Sequence, residues 1–192
     1  MAETKFNIGV FGSSAGEMAD IVPKATQLGD VLGEHADEVV VITGACAGLP
    51  YEAASRAAAG GCEVWGYSDR QDFAGLQAKY PNDDLSIYSK LIYIPADYEF
   101  ADNERVCFKY RNVTSTAVCD AGIIISGRWG SLNEFTNLVD MRKLVGVLTD
   151  TGGVADELEQ LSQRISKEGQ GEVIFNNNPA ELVAQLLQRL RA

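Results

Sequence analysis

The sequence predicts an α/β fold in which a parallel, doubly wound sheet of about seven strands is covered by helices on both faces. Short apolar runs alternate with stretches of helical periodicity along the whole chain. The run Ala121–Ile125 is wholly apolar and rich in Ile, which is typical of a strand buried on both faces. Three of the strands end in glycine-rich turns, and ligands bind at this end of the strands in doubly wound sheets.

Each element is predicted from its own pattern. The strands are predicted at 6–11, 39–42, 63–66, 91–94, 120–126, 144–148 and 172–175. The helices between and after them are predicted at 18–32, 49–59, 103–118, 130–142, 154–166 and 179–190. Pro23 lies near the first turns of the first helix and is typical of a helix start. Residues 67–90 show no clear period, and a loop of this length is uncommon unless it is a lid or contains short helices. With no repeat or linker, we expect one domain over residues 1–192.

Composition excludes several classes of protein. The chain has 192 residues, 46% of them apolar and 22% charged, as in a soluble globular domain. A net charge of −11 without a basic run argues against nucleic acid and membrane surfaces as partners. With neither a membrane span nor a signal peptide in the sequence, we expect a cytoplasmic protein. The single His35 and four cysteines without a CxxC pair predict no metal site, and no cofactor is expected.

The turn after the fifth strand carries the strongest functional signal. It runs through Gly127 and Gly130 and leads directly into a helix. At such a helix start the backbone N–H groups point outward and the helix dipole favours negative charge, so we predict an anion site over 127–131. Glu134 lies one turn into the helix, where its carboxylate can face the same ligand. The alternative is a turn whose glycines serve only the backbone.

Two further turns are predicted to border the same pocket, because the carboxyl ends of parallel strands share one edge of the sheet. Gly12, Ser13 and Ser14 would supply hydrogen-bond donors to a ligand. Gly44 and Gly48 would allow the backbone to approach it closely. Plain turns are the alternative in both places. Neither turn contains a GxGxxG pattern, so a dinucleotide is not indicated.

Three motifs carry a resemblance to a known family. They are IGVFGSS at 8–14, TGACAGLPYEAA at 43–54, and YRN with DAGIIISGRWGSLNEF between 110 and 135. Together they resemble the lonely-guy (LOG) family, part of a group long labelled lysine decarboxylase-like. The resemblance implies a Rossmann-like fold and a homodimer or higher homo-oligomer. It also implies a phosphoribohydrolase that cleaves the N-glycosidic bond of nucleoside 5′-monophosphates to give the free base and ribose 5-phosphate, and no lysine decarboxylase activity.

The signature of that family, PGGxGTxxE, is only partly retained between residues 126 and 134. The matched positions are Gly127, Gly130 and Glu134. Ser131 is a mild change from Thr, whereas Ser126 replaces Pro and Arg128 replaces the second Gly. Because guanidinium pairs bidentately with phosphate, Arg128 would suit a strongly anionic ligand.

Two residues are candidates for catalysis by this resemblance. Glu134 would stabilise the positive charge that develops on the ribose or orient a water molecule. Arg111 matches an arginine of the enzymes, although Asn112 follows it where they have Lys. It would hold the phosphate or assist the departing base. The alternatives are a glutamate that complements a helix dipole and a solvated arginine.

The departures from the signature leave a second function open. The segment TDTGGVAD at 149–156 is more similar to the molybdenum cofactor carrier proteins, which bind a pterin phosphate in the same cleft. The alternative function is therefore a non-catalytic carrier of a phosphorylated ligand. Both interpretations predict a small phosphorylated, nucleotide-like ligand. Trp129 would stack on a ring of the ligand or lie in a dimer interface.

Overall fold

The computed structural model describes residues 5–16 and 19–192, and within these ranges seven strands form one parallel sheet in the order β4-β3-β2-β1-β5-β6-β7. The strands are β1 (Phe6–Gly12), β2 (Val39–Thr43), β3 (Glu63–Tyr67), β4 (Lys90–Ile92), β5 (Ala121–Ile125), β6 (Leu144–Leu148) and β7 (Val173–Asn176). The helices are α1 (Val22–Gly33), α2 (Leu49–Ala59), α3 (Phe73–Lys79), α4 (Glu104–Ala117), α5 (Trp129–Asp140), α6 (Leu158–Ile165) and α7 (Pro179–Leu190). The predicted α/β fold is confirmed. None of the helices in the described ranges has the length and apolarity that a bilayer crossing requires.

Two predicted helices begin later than their patterns suggested. Helix α1 begins at Val22, with Pro23 in its first turn, whereas the predicted start at Met18 lies outside the described residues. The helix predicted over 154–166 is a 3₁₀ helix at Gly153–Glu157 followed by α6. In this segment the N–H groups of Val154 and Ala155 donate to the carbonyls of Gly127 and Ser126, which joins it to the turn after β5. The irregular segment 67–90 contains α3 and a 3₁₀ turn at Leu85–Ile87.

Strand β5 is buried on both faces because helices cover both sides of the sheet. Ile123 and Ile125 belong to one apolar cluster, which includes residues of α1, α2 and α7. Ile124 belongs to a second cluster, which includes residues of α5 and α6. All three side chains are fully buried. The run therefore has no polar position, as expected for the centre of a parallel sheet.

Helices α1 and α2 pack so closely that glycine is required between them. A Cβ added to Gly29 would lie 2.2 Å from the carbonyl oxygen of Ala53, and one added to Gly33 would lie 3.0 Å from the Cα of Gly60. Because the first contact is with backbone, no side-chain rotation relieves it. This close packing places α2, and the turn before it, against the carboxyl end of β1.

We expect Gly29→Ala to lower the free energy of unfolding by about 1–3 kcal/mol, because overpacking outweighs the better helix propensity of Ala. Urea unfolding measures the change. Gly130→Ala is the matched control, since Gly130 is also helical and an added Cβ meets no atom within 4 Å. Its stability should be unchanged or slightly raised. Equal effects of the two substitutions would contradict the close α1–α2 packing.

Candidate functional site

The sheet changes winding direction between β1 and β5, and a cavity of about 460 Å³ opens beyond the carboxyl ends of these strands. On one side of β1 the order runs through β2 to β4, and on the other through β5 to β7. The three glycine-rich turns at 12–16, 44–48 and 127–130 all contribute residues to its wall, together with one side of α4 between residues 105 and 112. The cavity thus lies where doubly wound sheets bind ligands.

All but two of the predicted site residues line this cavity. Those that do are Gly12, Ser13, Ser14, Gly44, Arg111, Arg128, Gly130, Ser131 and Glu134. The two that do not are Gly48 and Gly127, and both have backbone roles. Gly48, with a φ of 86°, brings the start of α2 against Ser13, whose carbonyl oxygen would lie 2.5 Å from an added Cβ. Gly127, with a φ of 100°, directs its N–H to the Ser13 hydroxyl at 3.1 Å.

The turn between β5 and α5 is fixed by hydrogen bonds to the segment after β6. The Ser126 N–H donates to the Thr151 hydroxyl at 2.8 Å, and this hydroxyl donates to the Leu148 carbonyl at 2.6 Å. Val154 donates to the Gly127 carbonyl at 2.8 Å. The segment 149–156 therefore positions the turn. Ser126 has a φ of 54°, which proline cannot adopt because its ring holds φ near about −65°.

The start of α5 leaves its backbone donors free. Within the described part of the chain, the N–H groups of residues 128–131 have no hydrogen-bond partner, and no side chain caps the helix. Gly130 lines the cavity, and open space surrounds the position of its missing Cβ. These donors and the positive end of the helix dipole can hold an anion.

Arg128 leaves this helix end accessible. Its φ of −135° is not a conformation that requires glycine. The exposed side chain extends from the β5–α5 turn to the β1 turn, where Nη2 donates to the Ala15 carbonyl at 3.3 Å. The guanidinium therefore lies at the exposed rim of the cavity rather than over the donors of α5, and it can reach an anion bound there.

A buried pair of opposite charges lies deeper in the cavity. Arg111 is carried by α4, a helix whose first turn is capped by the Asn103 side chain. Its Nη1 donates to the Gly44 carbonyl at 2.7 Å, and its Nη2 lies 3.9 Å from Oε1 of Glu134. A Cβ on Gly44 would stand 2.2 Å from Nη1, so glycine is needed there for the guanidinium to fit. Arg111 and Glu134 are only 8% and 5% exposed.

Burial changes the acid–base properties of Glu134. Desolvation raises its pKa to about 7, although the nearby cations Arg111 and Lys109 each oppose the rise. Among the described residues no hydrogen bond to the carboxylate offsets its burial, and the Arg111 guanidinium is 3.9 Å away. The group therefore changes charge near neutral pH, which suits acid–base or charge-stabilising chemistry.

Asn112 links the two helices that carry this pair. Its Oδ1 accepts from Nε of Arg111 at 3.0 Å, and its Nδ2 donates to Oδ1 of Asn133 at 3.1 Å. A second, longer contact of 3.5 Å joins Nδ2 to the Gly130 carbonyl. Asn112 therefore orients Arg111 relative to the first turn of α5. In the sequence, Asn112 stands out only because the lonely-guy enzymes have Lys at this position.

Further lining residues were not predicted from the sequence. On α4 they are Arg105, Phe108, Lys109 and Asn112. Their spacing of i, i+3, i+4 and i+7 puts them on one helix face, and this spacing among themselves is the signal that could have identified them. Tyr80, at the end of α3, also lines the cavity. No local pattern indicates its position, because it depends on how the 67–90 segment folds.

The lining is positively charged in an acidic protein. Four cations contribute to it, namely Arg105, Lys109, Arg111 and Arg128, whereas Glu134 is the single carboxylate among the described lining residues. The chain as a whole has a net charge of −11. Such a local reversal of sign concentrates anions at the cavity.

The sequence profile of the SLOG cluster4 family matches residues 5–183. The chain belongs to this family. The match covers nearly the whole chain and confirms the superfamily that the three motifs indicated. Among curated protein sequences, none matches this chain.

Solved structures show the same fold at low sequence identity. The X-ray structure of the protein TM1055 has a TM-score of 0.73 at 17% identity, over 96% of this chain and 99% of that one. The molybdenum cofactor binding protein from Rippkaea orientalis has a TM-score of 0.69 at 19% identity, over 99% of both chains. DNA processing protein A from Helicobacter pylori has a TM-score of 0.65 at 17% identity, over 98% of this chain and 83% of that one. That protein was solved for its single-stranded DNA binding mode, so the absence of a nucleic-acid partner here stays a prediction.

The raised pKa of Glu134 predicts how stability depends on pH. The folded state resists ionisation of this carboxyl, so its destabilising effect is absent below about pH 4.5, grows with pH, and is complete above about pH 7. We expect Glu134→Gln to be more stable than wild type by up to about 3 kcal/mol at pH 8, with a difference near zero at pH 4.5.

Urea unfolding between pH 4.5 and 8 tests this expectation. Glu168→Gln is the matched control, because Glu168 is exposed and changes charge by the same amount. It should follow the wild-type profile throughout. A Glu134→Gln profile parallel to that of wild type would show that Glu134 ionises freely in the folded protein.

Proposed function

We propose that this SLOG cluster4 protein is a nucleotide-binding domain over residues 1–192, and that it hydrolyses the N-glycosidic bond of a nucleoside 5′-phosphate. One observation carries the proposal. The buried pair of Arg111 and Glu134 borders the same cavity as the unpaired N–H groups at the start of α5. An anion-binding helix end beside a buried carboxylate is the arrangement that a phosphorylated riboside needs.

The phosphate would bind at the start of α5. The free N–H groups of 129–131 would donate to its oxygens, and the absence of a side chain at Gly130 leaves room for close approach. Arg128 at the rim would add a charge-assisted hydrogen bond. The hydroxyl of Ser131 is a further lining group that can donate to the same oxygens.

The ribose would then lie over Glu134, one turn into α5. As the bond from C1′ to the base nitrogen breaks, its electron pair leaves with the base and positive charge develops on C1′ and the ring oxygen. The ionised Glu134 would stabilise that charge and accept a proton from the water that adds to C1′. The products are the free base, which gains a proton, and ribose 5-phosphate.

Arg111 would act from the opposite wall. Its hydrogen bonds to the Gly44 carbonyl and to Asn112 hold it in one position, so it loses little freedom when ligand binds. From there its Nη2 faces Glu134 and the cavity. It would hold the phosphate or donate to the departing base.

A carrier of a phosphorylated ligand is the second candidate. The Rippkaea orientalis protein, which matches over nearly its full length, is a molybdenum cofactor binding protein. The segment 149–156, similar to that branch, positions the phosphate turn here through Thr151 and Val154. The carrier would use the same cavity without bond cleavage. In either case Trp129, which is 82% exposed, would be covered by the partner in the homodimer that the resemblance implies.

The decisive test is an assay for free base with AMP and isopentenyladenosine monophosphate as substrates. We expect release by the wild type, with Glu134→Gln slower by about 100-fold or more because the charge-stabilising group is lost. Glu168→Gln should retain full activity. Tight binding of the nucleotides without release by the wild type would favour the carrier.

The affinity of the phosphate site can be tested separately. Gly130→Ala should weaken AMP binding by about tenfold, because the added methyl group occupies space at the helix end and costs a charge-assisted hydrogen bond. Calorimetric titration measures the change, and unaltered urea unfolding shows that the fold is intact. Unchanged affinity would place the phosphate elsewhere in the cavity.

The activity should also rise with pH and level off above about pH 7, because the reaction needs Glu134 ionised and burial raises its pKa to about 7. A rate that falls as pH rises through 7 would instead make the protonated carboxyl the active form.

A further inference from the structure

Two cations of the cavity have no assigned contact with the phosphate or the ribose described above, although Lys109 also opposes the rise of the Glu134 pKa. Arg105 and Lys109 lie one turn apart on the cavity face of α4. Within the described residues neither forms an ion pair, and the one hydrogen bond of Lys109 goes to the Asn133 side chain at 3.4 Å. Most other lysines and arginines of this acidic chain have carboxylate, carbonyl or aromatic partners.

The acidic residue nearest in sequence does not neutralise them. Glu104 is the single acid of α4, and its carboxylate is engaged by Arg70 at 2.5 Å and Lys79 at 3.3 Å. Lys79 in turn pairs with the buried Asp69 at 2.6 Å. This network holds α3 against the start of α4. The charges of Arg105 and Lys109 therefore remain available to the cavity.

Their position continues the anion site along α4. Lys109 donates at 3.4 Å to Oδ1 of Asn133, in the second turn of α5, so its ammonium lies against the N-terminal half of that helix. Arg105 is four residues earlier, which places it about 6 Å further along the axis of α4. The cations thus form a row that leads away from the start of α5.

A single phosphate does not require this row. The dianion of a phosphate monoester is matched by the positive end of α5 and Arg128, while Arg111 faces Glu134. We propose that the ligand carries a second phosphate, joined to the first as in a nucleoside diphosphate or its esters, and that Arg105 and Lys109 bind it. This inference rests on the proposed nucleotide-binding role of the cavity and specifies its ligand class.

The experiment compares calorimetric titrations of AMP, ADP and ADP-ribose at fixed ionic strength, with EDTA present so that no divalent cation masks the diphosphate. We expect the wild type to bind ADP or ADP-ribose about tenfold more tightly than AMP, because charge-assisted hydrogen bonds to the second phosphate are added. ADP as the tighter ligand indicates a free terminal phosphate, and ADP-ribose an esterified one.

The double variant Arg105→Gln/Lys109→Gln should lose this preference and keep its AMP affinity within about threefold. The matched control is Lys143→Gln/Arg164→Gln, which removes the same charge from residues outside the cavity and should keep the preference.

Equal binding of AMP and of both diphosphates by the wild type would overturn the inference and leave the monophosphate site standing. If the double variant binds all three ligands more weakly by the same factor, Arg105 and Lys109 act only through general electrostatic attraction, and the inference is also overturned. Failure of all three nucleotides to bind would overturn the proposed function itself.

Discussion

The buried guanidinium of Arg111 is the contact on which the arrangement of the cavity depends. It joins the end of β2, through the Gly44 carbonyl, to α4 and to Glu134 on α5. A charge removed from water in this way is stable only when its donors are satisfied, so each neighbour is constrained in turn. Gly44 has no space for a side chain, and Asn112 supplies the acceptor for Nε.

The same arrangement accounts for the raised pKa of Glu134. The carboxylate is desolvated by the packing of α5 against the sheet, and Arg111 at 3.9 Å compensates only in part. The α5 helix thus presents two groups of opposite character to one cavity. Its free N–H groups favour an anion, while its buried carboxyl favours a cationic or neutral partner. A phosphorylated sugar, negative at one end and able to develop positive charge at C1′, matches both.

The departures from the lonely-guy signature become interpretable in three dimensions. Ser126 adopts a left-handed conformation that its partner Thr151 stabilises, so a proline has no place in this turn. Arg128 directs its side chain to Ala15 and leaves the start of α5 open. Both changes are compatible with an accessible start of α5 and alter what surrounds it. Together with Arg105 and Lys109, Arg128 makes the lining of the cavity more positive than the motif alone requires.

The sequence by itself determined the alternation of strands and helices, because buried parallel strands are uniformly apolar and helices repeat every 3.6 residues. It also determined that three glycine turns share one edge of the sheet, since the carboxyl ends of parallel strands must coincide there. Only the tertiary structure decided what each turn residue does. The Gly127 N–H donates to Ser13, whereas the N–H groups of 128–131 find no partner within residues 5–16 and 19–192, and nothing in the local pattern separates these cases. The positions of Tyr80 and Arg105 and the pKa of Glu134 likewise depend on contacts between segments distant in the chain, and local periodicity carries no information about such contacts.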